Sequence, residues 1–123
     1  MHKKQTSLPS PGGRQKARQF IENNSARRHG QTVYYGDVAK AAGMPVADVD
    51  WAKFFDWLDG EERASGRPVL SCLVCSRNSK NPSAAQWQDP IKLARAQKRA
   101  WDYWGQRLQP DGPKASGAPP WND

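Results

Sequence analysis

Two helical patterns separated only by the turn Gly43-Met44-Pro45 constrain the fold of this chain more than any other feature. Residues 35–42 predict a short helix that ends at Gly43, because glycine readily adopts the left-handed conformation that terminates helices. Pro45 cannot lie inside a helix but suits the first turn of a new one, expected over 46–64. One face of that third helix is apolar. Its side chains, spaced i, i+3, i+4 and i+7, are Trp51, Phe54, Phe55 and Leu58. We expect this face to be core.

The segments on either side of the helix pair set the domain limits. An amphipathic pattern predicts a first helix from Arg14 to His29, which Gly30 ends. Residues 1–13 have no apolar period, so they predict a disordered basic arm. Residues 109–123 predict a disordered Pro- and Gly-rich tail. The folded domain is therefore expected over 14–108.

The second half of the chain predicts a β-wing. Residues 69–75 form the most β-prone run, a polar turn covers 76–82, and 83–87 is expected to return as an antiparallel partner strand. A last helix is expected over 91–108 after Asp89-Pro90, which can cap and start it. The predicted fold class is α+β, a mainly helical winged-helix-like domain with a small antiparallel β-wing and an added C-terminal helix.

The run from Tyr35 to Gly43 resembles the Y-G-[DE]-x-A-x-x-x-G stretch in the winged-helix part of alkyltransferases and alkyltransferase-like DNA-repair proteins. It is also similar to small Y-G-E-L-A-containing winged-helix domains of bacterial phage-associated proteins, whose next strand reads much like residues 68–74. The resemblance implies a winged-helix fold that binds DNA. It does not imply alkyl transfer, since neither Cys72 nor Cys75 has the P-C-H-R context of the alkyltransferase cysteine.

The two cysteines, Cys72 and Cys75, predict buried or half-buried free thiols. A lone C-x-x-C with the distant histidines His2 and His29 cannot close a zinc site. It also reads as part of a strand, whereas a redox pair is typical of a helix N-terminus, where the thiolate is stabilised. Free thiols favour a reducing compartment.

Catalytic constellations are not recognisable in the sequence. No Ser-His-Asp or Cys-His arrangement is suggested, and no glycine-rich phosphate cradle precedes a helix. The carboxylates Asp59, Glu61 and Glu62 beside Arg63 are expected to be solvated at the polar end of helix three. We therefore expect no enzyme, no cofactor, no metal and no small-molecule substrate.

The charge distribution favours a polyanionic partner. Residues 1–36 hold seven basic residues and one acidic, 37–62 two basic and seven acidic, and 63–123 ten basic and four acidic, within a net charge of +7. Basic segments of this kind are typical of nucleic-acid binding, DNA being expected here, although a solvated basic surface is the alternative. The residues expected to contact nucleic acid lie on the wing tip, at the end of helix one, on helix three and along the last helix. They are Arg27, Arg28, Lys53, Arg77, Asn78, Lys80, Lys92, Arg95, Lys98 and Arg99.

The acidic third helix leaves a protein partner open. Phosphates would repel acidic side chains at the exposed start of a recognition helix. A winged-helix adaptor, or an inhibitor of a nucleic-acid enzyme, would use this surface, with Trp57 as an anchor. The residues expected in such an interface are Asp50, Asp56, Trp57 and Glu61.

The expected location is the cytoplasm. Met1 to Lys4 are followed by polar residues and prolines without an apolar run, and no stretch approaches the length of a membrane span. We expect no membrane partner.

Overall fold

The first helix begins earlier than the apolar pattern predicts. In the computed structural model, which describes residues 5–107, α1 spans Pro11–Ile21 and continues through a wider π-helical turn at Glu22–Ala26. Ser10 caps the helix, since its Oγ accepts a hydrogen bond from the Gly13 N–H at 3.1 Å. Proline at the first helical position completes a standard helix start.

The expected disordered arm over 1–13 is wrong for residues 7 to 13. The Ser7 N–H donates to the Asp48 carbonyl at 2.9 Å, and the Asp50 N–H donates to the Ser7 carbonyl at 2.8 Å. Pro9 is buried against the core. This tether was not predictable because its partners lie forty residues along the chain. Residues 1–4 and the predicted tail over 109–123 lie outside the described residues.

The second helix follows a two-residue strand and ends as predicted. Strand β1 is Val33–Tyr34 and α2 is Tyr35–Ala42. Gly43 has a φ of +80°, and the next N–H, that of Met44, donates to the Ala39 carbonyl at 3.0 Å. Helix α2 packs closely on α1, because a Cβ placed on Gly13 would lie 2.5 Å from the Ala42 carbonyl oxygen.

The third helical segment is divided in two, unlike the single helix expected over 46–64. A 3-10 turn at Val46–Asp48 is followed by extended backbone at Val49, and α3 is Trp51–Ala64. Asp50 caps α3, since its Oδ1 accepts from the Lys53 N–H at 3.2 Å. The predicted apolar face is confirmed. Its members Phe54, Phe55 and Leu58 are buried and Trp51 is half-buried.

The predicted antiparallel wing is wrong. A 3-10 turn at Ser71–Leu73 precedes β2, Val74–Cys75, which pairs in parallel with β1. The segment expected to return as a strand contains a 3-10 turn at Ala85–Trp87 instead. The β-prone run needs no strand partner along its whole length, because the carboxylate of Asp59 accepts two of its backbone N–H groups. The protein is thus α+β and mainly helical, with a parallel pair of strands.

The last helix, α4, is Pro90–Arg107, close to the predicted limits. Asp89 caps it, since Oδ1 accepts from the Ile91 N–H at 2.9 Å. Its buried row is Ala96, Ala100 and Trp104. Within 5–107, the helices are too short or too polar to cross a bilayer.

The largest fully buried apolar side chains come from α1, α2, α3 and the segment that contains β2. They are Ile21, Val38, Phe54, Leu58, Leu70, Leu73 and Val74.

Candidate nucleic-acid interface

A groove of about 560 Å³ lies between the end of α3, the 85–87 turn and α4. Its lining includes five cationic side chains and, among residues 5–107, no carboxylate. The five are Arg63, Arg67, Lys92, Arg95 and Arg99. Because cations from two separate segments face one concavity, their positive potentials add there.

One wall is a stripe on α4. Lys92, Arg95 and Arg99 are spaced i, i+3 and i+7, which places them on one side of the helix. Ala96 lies in the same row and is buried, so a small residue sits beneath the three exposed cations. The sequence predicts these three residues as nucleic-acid contacts, and the structure brings them together.

The opposite wall comes from the end of α3, whose basic residues were not among the predicted contacts. Arg63 is exposed in the last turn of the helix. Gly66, with a φ of +73°, then reverses the chain so that Arg67 lies back along the helix it has just left. The only sequence signal for these two residues was the excess of basic residues after position 62.

Arg67 is held by a buried carboxylate. Glu62 is fully buried and accepts from Arg67 Nε at 2.9 Å, from Arg67 Nη2 at 3.0 Å and from Arg18 Nε at 2.7 Å. The hydrogen bond to Glu62 raises the pKa of Arg67 above its usual value. Much of the Arg67 charge is therefore neutralised inside the protein. The other four groove cations form no ion pair with any residue in 5–107.

Trp87 lines the third side of the groove, and a hydrogen bond to Ser71 fixes the orientation of its indole ring. Its Nε1–H donates to Ser71 Oγ at 2.9 Å, and Gln86 Nε2 donates to the same oxygen at 3.1 Å. Ser71 Oγ in turn lies 2.6 Å from Asp59 Oδ2. Since the indole and amide groups can only donate here, the hydroxyl proton of Ser71 must point to the carboxylate.

Asp59 lies on α3 and binds the segment at Leu70 and Ser71 directly, and Trp87 through the Ser71 hydroxyl. Its Oδ1 accepts from the N–H groups of Leu70 and Ser71 at 3.1 and 3.0 Å. Burial raises the pKa of Asp59, and the hydrogen bonds to Ser71 and Leu70 offset part of that increase. The expectation that Asp59 and Glu62 are solvated is wrong, because both are buried. Their partners Ser71 and Arg18 lie 12 and 44 residues away in the sequence. Glu61 is exposed, as expected.

Three other predicted contacts at the end of α1 and on α4 lie outside the groove. Arg27 is half-buried with its guanidinium 5.1 Å from the centre of the Trp104 ring, which indicates packing. Arg28 is exposed and donates from Nε to the Asn23 carbonyl at 3.1 Å. Lys98 is exposed and pairs with Asp102 at 2.5 Å.

The predicted wing tip is a closed turn rather than the end of a hairpin. Arg77 is exposed, with its guanidinium 4.4 Å from the Tyr34 ring centre and 3.8 Å from Asp37. Asn78 and Lys80 are exposed in the same turn, and Lys80 has a φ of +62°. None of these three predicted contacts lines the groove.

The surface of α3 differs from the predicted protein interface at Trp57. This side chain is half-buried beneath Arg14, whose guanidinium lies 5.3 Å from the ring centre. Asp56 is exposed, whereas Asp50 is half-buried as the helix cap. Lys53, predicted to contact nucleic acid, is 72% exposed and lies 4.0 Å from Asp50.

A second, apolar groove of about 400 Å³ lies at the start of α3. Tyr35, Trp51 and Phe55 form its aromatic side, and Val46 on its rim is 44% exposed. This groove was not predicted, since the sequence assigned Trp51 and Phe55 to the core.

Cys72 and Cys75 are buried free thiols, as predicted. Burial raises the pKa of both, so neither is poised as a thiolate. Among residues 5–107, no three His, Cys, Asp or Glu side chains converge in a way that could hold a metal ion.

Comparison with known proteins adds no assignment. No protein-family model, curated protein or solved structure matches the chain.

Proposed function

We propose that this protein is a non-enzymatic nucleic-acid-binding module that holds a sugar-phosphate backbone in the groove between α3 and α4. The observation that carries the proposal is the convergence of Arg63, Lys92, Arg95 and Arg99 on a concavity to which the described part of the chain contributes no carboxylate. Cationic side chains that face one line of phosphates bind by releasing counterions, without reading sequence. DNA is the first ligand to test. The cytoplasmic location expected from the sequence belongs to the same proposal.

The four groove cations that form no ion pair within residues 5–107 set the expected salt dependence. If each neutralises one phosphate, the slope of log affinity against log salt is about −2.8 for a single strand and about −3.6 for B-form duplex. Between about 50 and 200 mM salt, affinity then falls roughly 50-fold on a single strand and roughly 150-fold on a duplex. These values are smaller than the whole net charge would give, because they count the groove alone.

The test is fluorescence anisotropy of labelled oligonucleotides with two charge-matched double variants. Arg95→Ala with Arg99→Ala removes two groove cations, whereas Lys16→Ala with Lys98→Ala removes two exposed cations that do not line it. We expect the groove variant to reduce the single-strand slope to about −1.4 and the control to keep the wild-type slope. Equal losses in both variants would show that net charge, not the groove, drives binding.

A protein adaptor is the second candidate, and the apolar groove at the start of α3 favours it. Val46 exposes apolar surface beside Tyr35 and Phe55. The carboxylate of Asp56, which follows Phe55 on α3, is also exposed. This surface suits a partner segment with apolar and basic side chains. Ala52→Glu would fill this groove with a charge. An adaptor loses its partner on that change and keeps its nucleic-acid affinity.

A further inference from the structure

We infer that the basic groove takes single-stranded nucleic acid, with one unpaired base stacked on the indole of Trp87. The inference depends on the proposed function and narrows its ligand from nucleic acid in general to a strand with accessible bases. Single-strand sites combine a cationic groove along the backbone with aromatic rings on which bases stack. Both components line the same concavity here.

Trp87 differs from the other tryptophans of residues 5–107 in having no ring partner. Trp51 packs edge-on against Tyr35 at 4.7 Å between ring centres, and Trp101 lies 5.4 Å from His29. Guanidinium groups lie over the remaining two, Trp57 and Trp104. No ring and no guanidinium within the described part of the chain covers Trp87.

The indole of Trp87 has no free hydrogen-bond donor to offer a ligand. Because Nε1–H is already donated to Ser71, the Trp87 side chain that lines the groove can offer a ligand only its apolar ring. That ring is only half-buried and is held by the Asp59–Ser71 network, so little conformational freedom is lost when a base packs on it.

The two cationic walls explain why a single strand suits the groove better than a duplex. Arg63 comes from the end of α3, and Arg95 and Arg99 come from α4 across the groove. A strand lying between the walls can be contacted from both sides while its bases turn towards Trp87. In a duplex the bases are paired and stacked on one another, so none can reach an indole without being flipped out at a cost of a few kcal/mol.

The experiment compares labelled oligo(dT) and oligo(rU) of about twelve nucleotides with a duplex of equal length at about 50 mM salt. Trp87→Leu removes the ring and keeps an apolar side chain, and Trp101→Leu is the matched control outside the groove. We expect Trp87→Leu to weaken binding of at least one single strand by about 5- to 150-fold. Duplex affinity and the Trp101→Leu variant should change little.

A second variant separates stacking from folding. Trp87→Phe keeps an aromatic face and loses the hydrogen bond to Ser71, so it should retain most of the single-strand affinity. If Trp87→Leu does not fold, quenching of tryptophan fluorescence by oligo(dT), present in wild type and absent in Trp87→Phe, gives the same information. Circular dichroism confirms the fold of each variant.

The outcomes distinguish the inference from the function on which it depends. Salt-dependent binding of duplex at least as tight as that of either single strand, unchanged in Trp87→Leu, would overturn the single-strand inference and leave the nucleic-acid groove in place. No binding of any oligonucleotide at low salt would overturn both.

Discussion

Glu62→Gln tests the buried ion network that holds one wall of the groove. The wild-type carboxylate is fully buried, while the side chains of Arg18 and Arg67 are 16% and 23% exposed. It accepts three hydrogen bonds from these two guanidinium groups. A neutral amide removes the charge and turns one acceptor oxygen into a donor that faces other donors.

The network includes a second carboxylate, that of Glu22. Glu22 lies 3.1 Å from Arg18 and is also buried. Burial raises the pKa of Glu22, and the nearby charge of Glu62 raises it further. Glu22 and Glu62 therefore both depend on the positive charge of Arg18. If Glu62 loses its charge, the remaining charges of the network are no longer balanced.

The expected loss is about 3 kcal/mol in the free energy of unfolding. Removing one partner of a buried ion pair costs roughly 3–5 kcal/mol, and the lower end applies because both guanidinium groups can reach water. With a urea m-value of about 1.5 kcal/mol per molar, the midpoint of unfolding falls by about 2 M. Circular dichroism against urea measures this directly.

Glu61→Gln is the matched control, since it makes the same chemical change one residue away on an exposed side chain. We expect it to leave the urea midpoint where it is. If Glu62→Gln moves the midpoint no further than Glu61→Gln does, the reasoning about this network is wrong.

Three smaller predictions concern packing, pH and thiol chemistry. Gly13→Ala should cost about 1–3 kcal/mol, because its Cβ would meet a carbonyl oxygen of α2 at 2.5 Å, whereas Gly12→Ala, with open space around it, should be neutral or stabilising in the same urea titration. Because the pKa of Asp59 is raised on folding, its contribution is fully present below the ordinary value of 3.8 and is lost as pH rises through the folded value. The excess stability of wild type over Asp59→Asn should therefore be larger near pH 4 than near pH 7, and the opposite trend would contradict the buried position. Cys72 and Cys75 should react with a thiol reagent only at the rate of unfolding, and rapid labelling of the native protein would show that they are accessible.

The helices were largely predictable because their signals are local. Gly43 ended α2 and Asp89 capped α4 as the sequence indicated, and the aromatic face of α3 entered the core. Each of these features depends on residues within one or two helical turns. The start of α1 was missed even though Ser10 and Pro11 are a local cap signal, because the glycines that follow suggested an arm.

The prediction of a wing was wrong because strand pairing depends on residues that are far apart in the sequence. The β-propensity of residues 69–75 is real, but propensity does not specify the partner of a strand. Here Asp59 satisfies the N–H groups of Leu70 and Ser71, and only Val74–Cys75 pairs with β1. A short parallel pair between distant segments leaves no sequence signature that distinguishes it from a hairpin.

The candidate site was predicted in part. The α4 residues Lys92, Arg95 and Arg99 follow a visible helical spacing, so the sequence alone grouped them. Arg63 and Trp87 join them only through the packing of α3 against the segments that follow it, and no local pattern indicates that contact.

The most direct test of the groove is an NMR titration that follows the arginine Nε–Hε signals, assigned by single substitutions, as oligo(dT) is added. The nucleic-acid proposal predicts that the signals of Arg63, Arg95 and Arg99 shift together and saturate with one affinity, while those of Arg28 and Arg77 stay in place. Shifts confined to Arg28 and Arg77, or no shift at low salt, would contradict it.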